Sequence, residues 1–205
     1  MKVTIIDYGM GNLWSVANAL SFLGAEWQIE SESHRVAKAD ALILPGVGSF
    51  RLAMQALCQR GLNQAIEEAV RRQQRKILGV CLGMQMLAQA SSEDGASDGL
   101  GLIPGRIDRF SADELGGQKL PHIGFNRVRP PKGGRLFEGL PSQPYFYFVH
   151  SYRLMSEALT GHAAMCNYGV DFVAAYEHEN VFAAQFHPEK SQTNGLRLLA
   201  NFLSA

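Results

Sequence analysis

The stretch Lys76-Ile77-Leu78-Gly79-Val80-Cys81-Leu82-Gly83-Met84-Gln85 decides how the rest of the chain is read. An apolar run stops at a cysteine that has one glycine two residues before it and another two residues after. Beyond it, Met84, Met86, Leu87 and Ala88 read as the start of a helix. Strand, tight turn and helix follow one another within a few residues. A side chain at the tip of such a turn crowds its neighbours, and glycine removes the Cβ atoms that would collide. The spacing is that of a G-x-nucleophile-x-G elbow with cysteine in the reactive position. The first unpaired N–H groups of the following helix favour a thiolate there. A packing cysteine after a core strand is the commoner role for this residue type, but the paired glycines and the strand–turn–helix setting favour the reactive turn.

Outward from Cys81, the first half alternates strand and helix. Val3 to Ile6 reads as a buried strand. Asn12 to Leu23 carries Leu13, Val16, Ala17, Leu20 and Leu23 at helical spacing and ends at Gly24. Trp27 to Ile29 and Ala41 to Leu44 are further strands, the latter closed by Pro45-Gly46, and helices are expected near 50–59 and 62–74. This rhythm predicts an α/β fold with a central, mostly parallel sheet and helices on both faces. Ligands bind such sheets at the carboxyl ends of the strands. The Asp7–Asn12 turn, the Pro45–Ser49 turn and Cys81 all fall there. After a polar loop, Ser91 to Gly99, short and partly antiparallel strands are expected near 103–109, 125–129, 144–149, 163–167, 172–176 and 181–186, with a closing helix from Leu196 to Leu203. No repeat or linker divides the chain, so one domain over 1–205 is expected.

Composition narrows the function. The 205 residues carry 19 Lys+Arg against 19 Asp+Glu. That balance gives no electrostatic footprint for nucleic acid or an anionic membrane. Arg71, Arg72, Arg75 and Lys76 form the one basic cluster, placed to suit the end of a helix. Cys58, Cys81 and Cys166 are odd in number and far apart, which points to a reducing cytoplasm rather than a disulfide framework. Cys58 and Cys166 read as packing residues. The N-terminus reads as a strand rather than a signal peptide, and no run of about 18 apolar residues occurs. Gly9-Met10-Gly11 lacks the third glycine of a dinucleotide loop, and Pro45-Gly46-Val47-Gly48 lacks the Lys-Ser/Thr of a phosphate loop. No His/Cys/Asp/Glu group has metal-ligand spacing, so no metal and no cofactor is expected.

A cysteine nucleophile needs a base, and the base needs an orienting group. Val181 to Phe186 is an apolar run that ends at His187-Pro188-Glu189. Residues two apart in extended chain point the same way, about 6–7 Å apart, and Pro188 biases His187 toward extended geometry. Glu189 would then hold one ring nitrogen while the other faces Cys81. For an acyl oxygen, the Leu82 N–H is one donor, and the Pro45-Gly46-Val47-Gly48 turn, whose glycines let a peptide turn its N–H toward the site, is a candidate second. His150, at the end of an aromatic strand, reads as core edge. His34, His122, His162 and His178 have no evident partner in the sequence.

Cys81, His187 and Glu189 in these contexts resemble the class I, triad-type glutamine amidotransferases, whose sheet is flavodoxin-like. Ile6-Asp7-Tyr8-Gly9-Met10-Gly11-Asn12-Leu13, Gly101-Leu102-Ile103-Pro104-Gly105, Pro121-His122-Ile123-Gly124, Val149-His150-Ser151-Tyr152 and Gln185 to Ser191 extend the likeness almost end to end. They narrow it to the histidine-biosynthesis branch. The resemblance implies that Cys81 attacks the carboxamide of L-glutamine, His187 protonates the departing ammonia and Glu189 orients His187. It places the oxyanion at Leu82, Val47 and Gly48, and the substrate on Gln85, Glu93, Ser151 and Tyr152. It further implies a heterodimer with a (β/α)₈-barrel cyclase that receives the ammonia; Asn12, Tyr147 and Lys190 are expected at that interface because they lie close in sequence to the active-site loops, with Phe125 as an aromatic plug at the gate. Phe125 stands where relatives often have Trp, so a contact through an indole N–H is lost there. The alternatives are a class I glutaminase of another synthase (anthranilate or pyridoxal phosphate), a stand-alone cysteine hydrolase, and a non-catalytic subunit.

Overall fold

In the computed structural model, residues 1–156 and 159–205 are described. The elements run in the order β1 (Val3–Ile6), α1 (Leu13–Phe22), β2 (Trp27–Glu30), α2 (Ser33–Val36), β3 (Ala41–Gly46), α3 (Phe50–Gln59), α4 (Leu62–Glu67), β4 (Lys76–Cys81), α5 (Leu82–Leu87), β5 (Ala88–Ser91) and β6 (Ser97–Asp98). They continue with β7 (Ile103–Arg109), β8 (His122–Arg129), β9 (Tyr145–His150), β10 (Tyr152–Met155), β11 (His162–Tyr168), β12 (Val170–His178), β13 (Val181–Ala184) and α6 (Gln192–Ser204). A nine-stranded sheet has the order β2-β1-β3-β4-β13-β12-β11-β8-β9. Its first five strands are parallel, and the remainder pair antiparallel. A second sheet, β10-β7-β5-β6, covers one side.

Apart from the edge strand β2, the parallel strands are buried on both faces, which is why they read as continuous apolar runs. Alternation divides them between two cores. In β3, Ala41 and Ile43 face a core shared with Val16 and Leu20 of α1 and Phe202 of α6. Leu42 and Leu44 face the opposite core, with Leu57, Ile66 and Met84 from α3, α4 and α5. Strand order reverses between β1 and β3, so the loops after these strands open a crevice at the carboxyl edge of the sheet. Cys81 ends β4, the next strand along.

Several expected boundaries move. The expected 62–74 helix is α4 followed by a π-helical turn, Glu68–Arg72. The helix after Cys81 has only six residues, and the chain then re-enters extended form as β5. The stretch expected to be helical thus ends in β5, the polar loop contributes β6, and the two pair in the second sheet. Cys58, expected to pack, is exposed. Lys76 lies in β4, and its ammonium donates to the carbonyls of Phe202, Leu203 and Ala205, satisfying the open end of α6. No helix among the described residues is long and apolar enough to cross a membrane.

Candidate active site

Cys81 sits at φ 54° and ψ −111°, a positive φ that costs a β-carbon residue about 1–3 kcal/mol. The surrounding glycines make this geometry possible. A Cβ on Gly83 would lie 1.7 Å from the Leu44 carbonyl oxygen, and one on Gly79 would lie 2.8 Å from the Gly83 carbonyl oxygen. The elbow thus packs tightly on both sides: a side chain at Gly83 would push α5 off β3, and one at Gly79 would push α5 off β4. Leu82 opens α5, so its N–H has no intrahelical acceptor.

His187 is extended (φ −97°, ψ 98°), but Pro188–Lys190 form one 3-10 turn rather than continuing the strand. Glu189 therefore folds back toward the ring instead of pointing alongside it. Its Oε1 lies 2.7 Å from His187 Nδ1. A carboxylate can only accept there, so Nδ1 carries a proton and Nε2 is the nitrogen left for chemistry. Nε2 is buried and has no hydrogen-bond partner among the described residues. Burial alone would lower the His187 pKa, but the neighbouring Cys81 thiol and the Glu189 carboxylate outweigh it and raise the ring to about 9.

That shift carries a pH signature. A folded-state pKa above the unfolded one stabilises the fold below pH about 6.5, and this contribution is lost as pH rises through about 9. Glu189→Gln removes the charge that supports the imidazolium. Its melting temperature should lie below that of the parent chain at pH 6.5, and the gap should narrow by pH 10. A constant gap across that range would show that Glu189 acts through packing alone.

Backbone pairing fixes the histidine in place. His187 N–H donates to the Tyr147 carbonyl at 2.9 Å. The buried Ser191 hydroxyl accepts from Tyr147 N–H at 2.9 Å and donates to the His187 carbonyl at 2.6 Å.

A cavity of about 300 Å³ opens in front of the sulfur. Cys81, Leu82, Val47 and Gly48 line it on the elbow side, and Gln85, Glu93, Ser151 and Tyr152 also line it, alongside Pro121, Val149 and His150. The first eight are the nucleophile, oxyanion and substrate residues expected from the sequence; Pro121, Val149 and His150 are additional. Glu93 Oε2 accepts from Phe50 N–H at 2.8 Å, and Asp94 Oδ2 accepts from the Ser49 hydroxyl at 3.0 Å. The acidic pair thus anchors the chain just after the Val47–Gly48 peptide. Burial raises the Glu93 pKa, the Phe50 N–H opposes this, and the Asp94 charge adds to it. Gln85 spends its amide N–H donors inside the protein, on the Tyr152 carbonyl (3.2 Å) and Gln185 Oε1 (3.1 Å).

Two residues of the site were not singled out from the sequence. Gln185, fully buried, donates from Nε2 to the Cys81 sulfur at 3.8 Å, and the thiol in turn points at the Val149 carbonyl, also at 3.8 Å. Tyr8 donates its hydroxyl to the Pro45 carbonyl at 2.9 Å and so holds the start of the glycine loop. Its pKa is pushed up by burial and by nearby negative charge at Cys81 and Asp7. Both lie inside quoted motifs, and a buried glutamine two residues before a histidine base was the available signal.

The four expected interface residues lie outside this cavity. Phe125 and Tyr147 stand directly opposite one another on β8 and β9, with ring centroids 5.4 Å apart. The Lys190 ammonium lies 5.9 Å from the Tyr147 ring centroid. Asn12 is exposed and caps α1, accepting from Ser15 N–H, and α1 packs against the 188–190 turn. Among the described residues, no three His, Cys, Asp or Glu side chains converge as a metal site.

A cysteine at a strained strand end that faces a cavity, with a buried histidine–glutamate pair in the same fold, has the chemistry cysteine-based acyl transfer uses. The chain belongs to the class-I glutamine amidotransferases, whose family model matches residues 4–205. It is 45% identical over 203 residues to the imidazole glycerol phosphate synthase subunit HisH of Moorella thermoacetica, covering 98% of this chain and 93% of that one. To the protein of the same name in Acinetobacter baylyi it is 39% identical, covering 98% and 97%. Among solved structures it resembles a glutamine amidotransferase (TM-score 0.77, 20% identity, 98% and 97% covered). It also resembles PurLQS of Thermotoga maritima (TM-score 0.75, 14% identity, 99% and 97% covered). These two likenesses show the fold.

Proposed function

We propose that residues 1–205 form a single glutaminase domain, the cytoplasmic glutamine-hydrolysing subunit of an imidazole glycerol phosphate synthase. The observation that carries this reading is the end-to-end similarity to subunits of that name, joined to the Cys81–His187–Glu189 arrangement. Cys81 Sγ attacks the side-chain carboxamide carbon of L-glutamine after His187 Nε2 takes its proton. The oxyanion is held by the Leu82 N–H and the Val47–Gly48 peptide. His187 returns the proton to the leaving nitrogen, ammonia departs, and water hydrolyses the glutamyl thioester to glutamate. Glu93 suits the substrate ammonium, and the backbone at Ser151–Tyr152 suits its carboxylate. With its amide protons already engaged, Gln85 presents Oε1 to the substrate.

Ammonia released into water at neutral pH is protonated and ceases to be a nucleophile. A closed partner interface is therefore needed. The partner in this reading is a (β/α)₈-barrel cyclase. It combines the ammonia with a phosphoribulosyl-formimino carboxamide nucleotide to give imidazole glycerol phosphate and aminoimidazole carboxamide ribonucleotide. Ile123 (59% exposed), Phe125 (49%) and Tyr145 (44%) give one face of β8–β9 an apolar surface next to Tyr147 and Lys190, which supports docking there. The test is glutamine hydrolysis by the free chain, by the chain with a barrel cyclase, and by that pair with the nucleotide. Activity should rise at each addition. Equal hydrolysis in all three would favour a stand-alone hydrolase.

A further inference from the structure

Two histidines outside the triad form a hydrogen-bonded chain with only one possible direction. His122 on β8 stands directly opposite His150 on β9. His122 Nδ1 and His150 Nε2 are 3.0 Å apart, and His150 Nδ1 lies 2.8 Å from the Tyr152 carbonyl oxygen. A carbonyl only accepts, so His150 Nδ1 carries a proton and, in a neutral ring, its Nε2 is an acceptor. His122 must then donate from Nδ1.

The other end of the chain demands the same direction. The Asn126 side-chain oxygen accepts from Arg127 N–H at 2.8 Å, which turns its amide nitrogen toward His122 Nε2 at 3.5 Å and toward the Asn167 carbonyl at 3.1 Å. His122 Nε2 is therefore the acceptor and Nδ1 the donor. Both rings are buried and packed among aromatic side chains. His122 is stacked on Phe148 and Tyr168, and His150 lies against Phe110, Phe148 and Phe172. Burial lowers the His122 pKa to about 4. Burial, aided by the charges of His122 and His187 and opposed by the Tyr152 carbonyl, lowers that of His150 to about 3. Both rings are neutral at pH 7.

The receiving end of the chain lies in the substrate cavity. Tyr152 O is shared with Gln85 Nε2, and Ser151, Tyr152 and His150 all line the cavity in front of Cys81. We propose that His122 and His150 are a positioning pair: through fixed Nδ1–H tautomers they hold the Tyr152 carbonyl, and with it the Ser151–Tyr152 peptide, in the orientation that receives the carboxylate of glutamine. This rests on the reading of Ser151–Tyr152 as the carboxylate site. Neither ring touches the reacting atoms; the pair acts through backbone placement, so its loss falls on substrate binding before chemistry.

Two variants separate the donor from the ring. His122→Phe keeps the aromatic stack and removes the N–H. His122→Asn gives up the ring and keeps an N–H at the same position along the side chain. With the partner and its nucleotide present, His122→Phe should raise the glutamine KM about tenfold, the scale of one lost hydrogen bond to a positioned group, with a smaller fall in kcat. His122→Asn should restore most of that loss. An unchanged KM in a folded His122→Phe protein overturns the proposal, as does His122→Asn being impaired as much as His122→Phe. ¹⁵N NMR of labelled histidine in the parent chain reads the tautomers directly. Both rings should be neutral with the proton on Nδ1, opposite to the Nε2–H form that free side chains favour. An Nε2–H or doubly protonated ring at pH 7 overturns the proposal, and this measurement decides it if His122→Phe does not fold. Absence of any glutaminase activity in the parent complex would instead count against the functional reading and leave the tautomer result standing.

Discussion

Cys81→Ser should abolish glutamine-dependent synthesis by the complex while leaving synthesis from added ammonium salts intact. The substitution changes one atom at a position whose backbone is already fixed by close packing of Gly79 and Gly83 against β3 and α5. Fold and partner surface are therefore retained. What is lost is a thiol nucleophile, and a hydroxyl in its place is a weaker acid that needs a much stronger base. A fall of about 10³-fold or more in glutamine turnover is expected, since removing a nucleophile disables the whole triad at once. Ammonium bypasses this step because it supplies the product that the elbow would have made. Loss of both activities would mean that the chain contributes to the partner's chemistry as well as to ammonia production.

His187→Asn should slow glutaminase turnover by about 10²–10⁴-fold, the range of a positioned general acid–base, or about 3–5 kcal/mol in barrier height. Its KM should change less, because His187 does not line the substrate cavity. The buried Glu189 carboxylate would lose the ring it holds at 2.7 Å. An uncompensated buried charge is costly, so a lower melting temperature should accompany the kinetic loss. A near-normal rate would assign the base elsewhere, and His150 is the nearest alternative. Its lowered pKa and its hydrogen bonds to His122 and Tyr152 make it a poor one.

Features of the fold and site with a local cause are legible in the sequence. Strands β1, β3 and β4 are buried on both faces, so their apolar runs survive in any reading. The Cys81 elbow is announced by glycines two residues away on either side. The cavity residues were placed by motif resemblance, and the structure gathers all of them around the sulfur. What escaped depends on register between distant segments. His122 had no visible partner because its partner, His150, becomes its neighbour only when β8 and β9 pair. Gln185 looked like one more strand residue until β13 lay beside β4 and brought it to Cys81. The His187–Glu189 contact was expected for the wrong geometric reason: extended spacing would have pointed the two side chains in parallel, whereas the turn at Pro188 folds Glu189 back onto the ring. Strands β5 and β10 were missed because each has only four residues and owes its form to β7, which pairs with both.

The central claim is that Cys81 carries a glutamyl group on the way to ammonia. Rapid acid quenching of the complex during glutamine turnover, followed by peptide mass spectrometry, tests it most directly. The expected result is a peptide containing Cys81 that is heavier by glutamine less ammonia, and absent in Cys81→Ser. A turning-over complex with no such adduct, or with the adduct on Cys58 or Cys166, would contradict it.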